Sequence, residues 1–276
     1  MAGKDIRSRM RSMESTKQIT GAMELVAASK LRTAREGAAA SRPHFEALCR
    51  TVHDIAERDP ELSSPYVREA RGDKTCFVVI AGDRGLAGGY NGNVLKLALA
   101  EMEGREAVVL PIGKKTAEFF RGRDIPLLNT RYPVAEAVNA DGCSAMAKDL
   151  CERFLAGQFH RVVLCYTDFV SALTQTPAAI PLLPIIGKKG QRRSPAVWEP
   201  DSETVLRAIV PHYLGGVIYG ALRQSLCSEQ AARRTAMDSA TQNAEELIET
   251  LNLQYNRARQ GAITREITEI VAGAEH

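Results

Sequence analysis

Two hydrophobic periodicities divide the chain. Over residues 4–57 and 202–272 apolar positions recur at helical steps of three and four, whereas between them short continuous apolar runs alternate with helical stretches. The first segment carries a seam through Ile6, Met10, Met13, Lys17, Thr20, Glu24, Ala27, Leu31 and Ala34, half apolar and half polar. A second stripe runs through Ile19, Met23, Val26 and Lys30. One apolar stripe serves one partner, so two partial stripes predict contact on more than one side. The last segment repeats the theme: Ile248, Leu251, Tyr255, Ala258, Ala262 and Arg265 form one series, and Ile263, Ile267 and Ile270 another. A helix over 217–272 would span roughly 80 Å. Two helices this long, at opposite ends of one chain, are expected to pair with each other and project, giving a rod with a head or foot.

The punctuation is uneven. Pro43 predicts a kink or break in the first helix, with helix resuming from His44 to Glu57. Asp59-Pro60 and Ser63-Ser64-Pro65 then end it. Asp201 or Ser202 can cap the last helix, and Pro211 with Gly215-Gly216 predicts an irregular early part.

In the middle, Thr75–Ala81 (TCFVVIA) reads as a buried strand. A glycine-rich stretch from Gly82 to Gly92 and a helix from Asn93 to Glu103 follow it. Strand, glycine-rich turn and helix is the order of a phosphate-binding unit. However, no Lys-Ser or Lys-Thr follows these glycines, and the dinucleotide spacing is absent, so turning and close packing explain them better. Strand Ala107–Ile112, helix Lys114–Arg121, a short strand near Ile125–Leu128, helix Cys143–Ala156 and strand Arg161–Asp168 continue the alternation. Pro181 and Pro184 make Ala178–Ile186 an edge or irregular strand. The fold class expected is α/β: an antiparallel coiled coil of long N- and C-terminal helices plus a small, mostly parallel, Rossmann-like middle domain. The boundaries expected are 1–65, 66–200 and 201–276.

Composition narrows the function. The chain has 276 residues, 45% of them hydrophobic and 5% aromatic, with a formal net charge of +3. That charge is too small to argue for nucleic acid, and the basic stretch over residues 1–35 (Lys4, Arg7, Arg9, Arg11, Lys17, Lys30, Arg32, Arg35) lacks interleaved aromatics. Acidic residues are frequent from Glu229 to Glu275, so an antiparallel pairing of basic and acidic helices would be favourable. The six cysteines form no C-x-x-C pair, which leaves buried free thiols as the expectation and supports no metal or redox motif. His160 stands alone, and no catalytic motif surrounds it. Residues Gly187–Pro195 are a basic loop expected in solvent. No run of about 18 apolar residues marks a membrane span, and the first residues lack the apolar core of a signal peptide.

Several stretches resemble one family closely. Thr16–Leu31 (TKQITGAMELVAASKL), Asp83–Asn91 (DRGLAGGYN), Ser228–Met237 (SEQAARRTAM), Leu253–Thr264 (LQYNRARQGAIT) and Ile263–Ala274 (ITREITEIVAGA) are similar to the γ subunits of F-type ATP synthases. The middle domain matches mainly through its loop. The resemblance implies a central rotor shaft, non-catalytic in itself and without cofactor or metal, whose rotation couples ion flow through a membrane c ring to ATP synthesis or hydrolysis on β subunits. Its implied partners are the ring of three α and three β subunits, the ε subunit and the c ring. It implies peripheral attachment at the cytoplasmic face of a bacterial inner membrane. No cysteine-containing insert of the chloroplast type is present.

The resemblance also implies roles for particular residues. Arg259, Gln260, Thr264, Glu266 and Arg233 would meet a β-subunit loop. Met23, Lys30, Arg84 and Ala87 would face the acidic lever of β, and Trp198 and Glu199 would lie on the foot towards the c ring. For each, plain packing or solvent exposure is the competing explanation. Two rival functions share some features. An adaptor coiled coil would share the helices but not the matched runs, and a small Rossmann-type enzyme would need a nucleotide site at Gly82–Gly92.

Overall fold

The computed structural model describes residues 2–58, 64–68, 72–129, 131–185, 199 and 201–274. Its elements in order are α1 (Ala2–Arg58), β1 (Thr75–Ile80), α2 (Tyr90–Met102), β2 (Ala107–Ile112), α3 (Lys114–Arg121), α4 (Ala140–Leu155), β3 (Arg161–Phe169), β4 (Gln175–Leu183) and α5 (Ser202–Ala274). The chain divides into two compact units. One comprises Met1–Ala28 and Arg233–His276, and the other Ser29–Ala232.

The first unit is a pair of antiparallel helices. Contacts fix the direction: Arg7 reaches Tyr255, Lys17 reaches Glu245, Thr20 reaches Thr241, and Glu24 reaches Arg234. Numbers rise along α1 as they fall along α5. The expected seam is present on α1, where Ile6, Met10, Met13, Thr20 and Ala27 turn at least partly inward. Lys17 does not join it: its neighbour Thr16 is half-buried while the lysine is exposed, because the ammonium stays in water and pairs with Glu245 at 2.6 Å. On α5, Ile248, Leu251, Tyr255 and Ala258 are half-buried, but Ala262 and Arg265 are exposed.

The second unit is built on a four-stranded sheet of order β2-β1-β3-β4. β1 pairs parallel with both β2 and β3, and β4 pairs antiparallel with β3 at the edge. Alternate side chains enter two cores, as a strand period of two requires. Cys76, Val78, Ile80, Val108, Leu110, Ile112, Val162 and Leu164 face α4, α5 and the end of α1. Phe77, Val79, Val109, Val163 and Cys165 face α2 and α3. Burial on both faces explains why TCFVVI is continuously apolar. The segment near Ile125–Leu128 makes only one bridge, Val109 to Leu127, and is not a strand.

Three local expectations change. α1 runs through Pro43 without a break, because Val52 and Ile55 are fully buried beyond it. Burying two such side chains returns roughly 3–6 kcal/mol, enough to offset the proline's cost of about 3 kcal/mol. α5 likewise runs through Pro211, with Leu206, Val210 and Leu214 buried on either side. Gly215 is no irregularity. A Cβ there would stand 3.2 Å from the Ser144 Cα, so the glycine lets α5 approach α4. Finally, α5 does hold one stretch apolar and long enough, by composition alone, to cross a membrane, and half of it is buried. Its residues Val210, Leu214, Val217, Ile218 and Leu222 pack in the same core as the sheet.

Candidate coupling surfaces

In a sheet of order β2-β1-β3, the chain runs outward from β1 to β2 and then returns past β1 to β3, so the strand order reverses beside β1. The crevice at the carboxyl ends of β1 and β3 is where such sheets usually hold a ligand. Gly82–Gly92 opens from that point, and several of its polar groups are already bonded within the chain. Gly82 N donates to Asn91 Oδ1 at 2.8 Å, while Asn91 Nδ2 donates to the Arg84 carbonyl at 3.0 Å. The first amides of α3 are already taken: Lys114 N donates to Asp83 Oδ1 at 2.9 Å, and Lys115 N donates to the Gly82 carbonyl at 3.0 Å. At the start of α2, Tyr90 N and Asn93 N donate to the Ala87 and Gly89 carbonyls. A phosphate cradle needs such amides free.

The crevice itself is filled by α5. Thr167 N donates to Ser225 Oγ at 3.1 Å, and Ser228 Oγ donates to the Thr167 carbonyl at 3.3 Å. Glu229 is 3% exposed, and a Cβ on Gly82 would meet its carboxylate at 2.9 Å. Ser225, Ser228 and Glu229 were not anticipated as a set. The available signal was the spacing of Ser225, Ser228 and Glu229, which share one helix face beside the apolar Leu226 and Cys227. A cavity of about 310 Å³ lies instead at the amino ends of the strands, lined by Lys74, Val108, Leu127, Leu128, Gln158 and Phe159. Lys74 pairs there with Glu106 at 3.0 Å, and no nucleophile–base pair accompanies it. Among the described residues no cluster of His, Cys, Asp and Glu could hold a metal.

The buried thiols are equally unsuited to chemistry. Cys76, Cys143, Cys151, Cys165 and Cys227 are buried and free. Burial pushes the Cys76, Cys143 and Cys165 thiols up to about 12 and Cys151 to about 11, far from the thiolate form at neutral pH.

What the loop does present is an exposed tip. Leu86 adopts φ 62° and is 64% exposed, Arg84 beside it is exposed, and Ala87 is buried. Arg84 and Ala87 therefore share a loop but not a surface. Lys30 is exposed and bonded to both carboxylate oxygens of Glu136, at 2.8 and 3.1 Å. Met23 is half-buried, and Arg233 is 8% exposed. The side chains of Arg259, Gln260 and Thr264 are all exposed, as is every residue from Arg259 to Arg265. Thr264 Oγ1 donates to the Gln260 backbone carbonyl at 3.0 Å. Glu266 lies on α5, and Glu199 is exposed. Trp198 and the basic loop Gly187–Pro195 lie outside the described residues.

An α/β fold whose ligand crevice is stopped by its own helix, with its exposed polar groups on helix faces and a clamped loop, belongs to the class of proteins that work through contact surfaces. A family model described as ATP synthase matches residues 2–276. The chain is 46% identical to the ATP synthase gamma chain of Ruminococcus albus, over 97% of this chain and 96% of that one. It is 38% identical to the sodium-ion-specific ATP synthase gamma chain of Acetobacterium woodii, over 98% and 97%. It shares its fold with a chain of the Euglena gracilis mitochondrial ATP synthase (TM-score 0.68, 18% identity, 98% and 93% covered). A chain from the central stalk and c ring of the Tetrahymena thermophila enzyme gives TM-score 0.59 at 23% identity, with 80% and 99% covered. The chain belongs to the ATP synthase γ-chain family, the central-stalk subunits of F-type ATP synthases.

Proposed function

We propose that this chain is the rotating shaft of its complex, converting ion flow through a membrane c ring into conformational change at catalytic sites on β subunits. The chain makes and breaks no bonds in ATP. It acts by presenting different faces to three equivalent partners as it turns, which is a coupling free energy carried by differential contacts. The observation that carries this reading is the last part of α5. From Arg259 to Arg265 every side chain is exposed, and Ile263, Ile267 and Ile270 are 46%, 57% and 66% exposed. A helix that leaves three isoleucines in water on one face is shaped for an enclosing partner.

In this reading Arg259 and Gln260 hydrogen-bond a β-subunit loop, with the guanidinium suited to a paired carboxylate. Thr264, Glu266 and Arg233 belong to the same helix. Met23, Lys30, Arg84 and Ala87 mark the region opposite an acidic lever of β. Of these, Arg84 is the direct contact, while Ala87 holds the loop from beneath. Lys30 must exchange Glu136 for any acidic partner. Trp198 and Glu199 mark the side towards the c ring, and the ε subunit binds the α/β unit. The boundaries 1–65, 66–200 and 201–276 divide shaft from foot along the chain. The complex is membrane-associated, and this subunit is peripheral at the cytoplasmic face of a bacterial inner membrane.

The test is co-purification from gently solubilised membranes through a tag on this chain. One copy recovered with three α and three β subunits and ATPase activity supports the reading. Recovery without them would favour an adaptor coiled coil. Within the complex, Arg259→Ala and Gln260→Ala are expected to weaken coupling. Unchanged ATPase activity and ion pumping in both would remove those residues from the mechanism.

A further inference from the structure

The seam of the helix pair is poor in apolar volume. Among the described residues of that unit, the buried apolar side chains are Ala27, Met237 and Ala244, while Ile19, Leu25, Val26 and Leu247 are each at least half exposed. The larger seam residues Ile6, Met10, Met13, Ile248, Leu251 and Tyr255 are only half-buried, so the seam specifies its own register weakly. The salt links do not repair this. Lys17–Glu245 and Glu24–Arg234 join long side chains that are a quarter to a half exposed, and such pairs contribute little to a fixed geometry.

One contact is of a different kind. Thr20 is 9% exposed, and its hydroxyl meets that of Thr241 across the seam at 2.7 Å. Each hydroxyl also lies near a carbonyl of its own helix: Thr20 Oγ1 is 3.1 Å from the Thr16 carbonyl, and Thr241 Oγ1 is 2.9 Å from the Met237 carbonyl. With one proton on each hydroxyl, one threonine donates to its own helix and accepts from the other; apart, each can still donate to its own carbonyl, so standing face to face adds one accepted bond that ties the two helices together. β-branching limits each side chain to few rotamers, so neither can follow a sliding partner.

We propose that Thr20 and Thr241 form a register pin, fixing the axial position and rotation of α5 against α1 in this unit. If α5 slid by one heptad, about 10 Å, Thr20 would face Ile248 or Arg234, and Thr241 would face Met13 or Ala27. Either slide sets a hydroxyl against hydrocarbon or a half-exposed guanidinium, and the bond between the two threonines is lost. A single buried polar pair that sets register at some cost in stability is a known device of coiled coils. The pin stands independently of the rotary reading. Only its consequence, that contact surfaces on the two helices keep a constant phase during rotation, rests on that reading.

The test reads register directly. Spin labels on Ser15→Cys and Glu246→Cys, both exposed positions, are placed in the full-length chain with Cys49→Ser. Their distance distribution is measured by pulsed electron resonance. The parent chain is expected to give one distance. Thr20→Val with Thr241→Val, nearly isosteric, is expected to add a second population displaced by several ångströms, with melting temperature unchanged or raised. Thr20→Ser with Thr241→Ser is expected to restore the single distance. A single unshifted distance in the valine variant overturns the pin, whatever its melting temperature. Should the double variant fail to fold, Thr20→Val alone is read in the same way. Co-purification of the chain with or without α and β subunits leaves this result unaffected, so failure of the pin and failure of the shaft reading are separable.

Discussion

Gly113→Ala should be among the most damaging single substitutions in the α/β unit. Gly113 joins β2 to α3 at φ 90°, ψ 148°, a conformation that side-chain-bearing residues rarely adopt. A Cβ built there lies 2.0 Å from the Ala81 carbonyl oxygen and 3.2 Å from that of Gly82. Both are backbone atoms and cannot turn aside. The conformational cost is about 1–3 kcal/mol. Displacing the β1 terminus also strains two backbone bonds, Ala81 N to the Ile112 carbonyl and Lys115 N to the Gly82 carbonyl, each worth about 1 kcal/mol. The total is about 3–5 kcal/mol, a large share of the 5–15 kcal/mol typical of a domain. Native-state hydrogen exchange of the β1 and β3 amides measures it locally. Gly92→Ala, inside α2 with open space around the new methyl, serves as the control and should stabilise by about 0.5–1 kcal/mol. If Gly113→Ala changed protection by less than about 1 kcal/mol, the argument that this close approach fixes the loop would be wrong.

Four further outcomes follow from the same contacts. Phe77→Ala removes a fully buried ring between β1 and α2 and should cost about 3–5 kcal/mol by the same exchange assay. Alkylation near neutral pH should label half-buried Cys49 before the five buried thiols, whose thiolates burial suppresses, and all six should react in urea. Glu245→Gln should cost under about 1 kcal/mol, with the difference vanishing at high salt, because its ion pair with Lys17 is roughly half exposed. Asp201 accepts from Thr204 N at 2.8 Å and Thr204 Oγ1 at 2.7 Å, and these bonds lower its carboxyl pKa. Its support for the first turn of α5 is therefore present above the ordinary carboxylate range and lost as pH falls through the depressed value. Exchange of those first-turn amides should rise on acidification, and Asp201→Asn should flatten that dependence.

The fold was legible wherever burial and periodicity agree. β1 and β2 are buried on both faces and so announced themselves as apolar runs, and α3 began and ended where its sequence said. The failures share one cause, which is that local signals were outweighed by packing. Pro43 read as a kink or break, and Pro211 with Gly215 as an irregularity, but both prolines sit in helices held by buried neighbours and Gly215 is a close approach. Ile125–Leu128 is apolar enough for a strand yet finds one bridge, since no second edge is offered to it. For the surfaces, the spacing of the glycine loop argued against a nucleotide, and the loop's polar groups bond one another and the start of α3. Its stopper, Glu229 with Ser225 and Ser228, lies more than 130 residues away in the chain, and no local pattern links the two. The Glu136 partner of Lys30 was hidden for the same reason.

The central claim is that this chain turns. The most direct measurement attaches a probe to a cysteine placed on the α/β unit, with the α and β subunits of the purified complex fixed to a surface and ATP supplied. The account predicts continuous rotation in one direction that stops when ATP is exhausted. A probe that stays still while ATP is hydrolysed at the normal rate would contradict it.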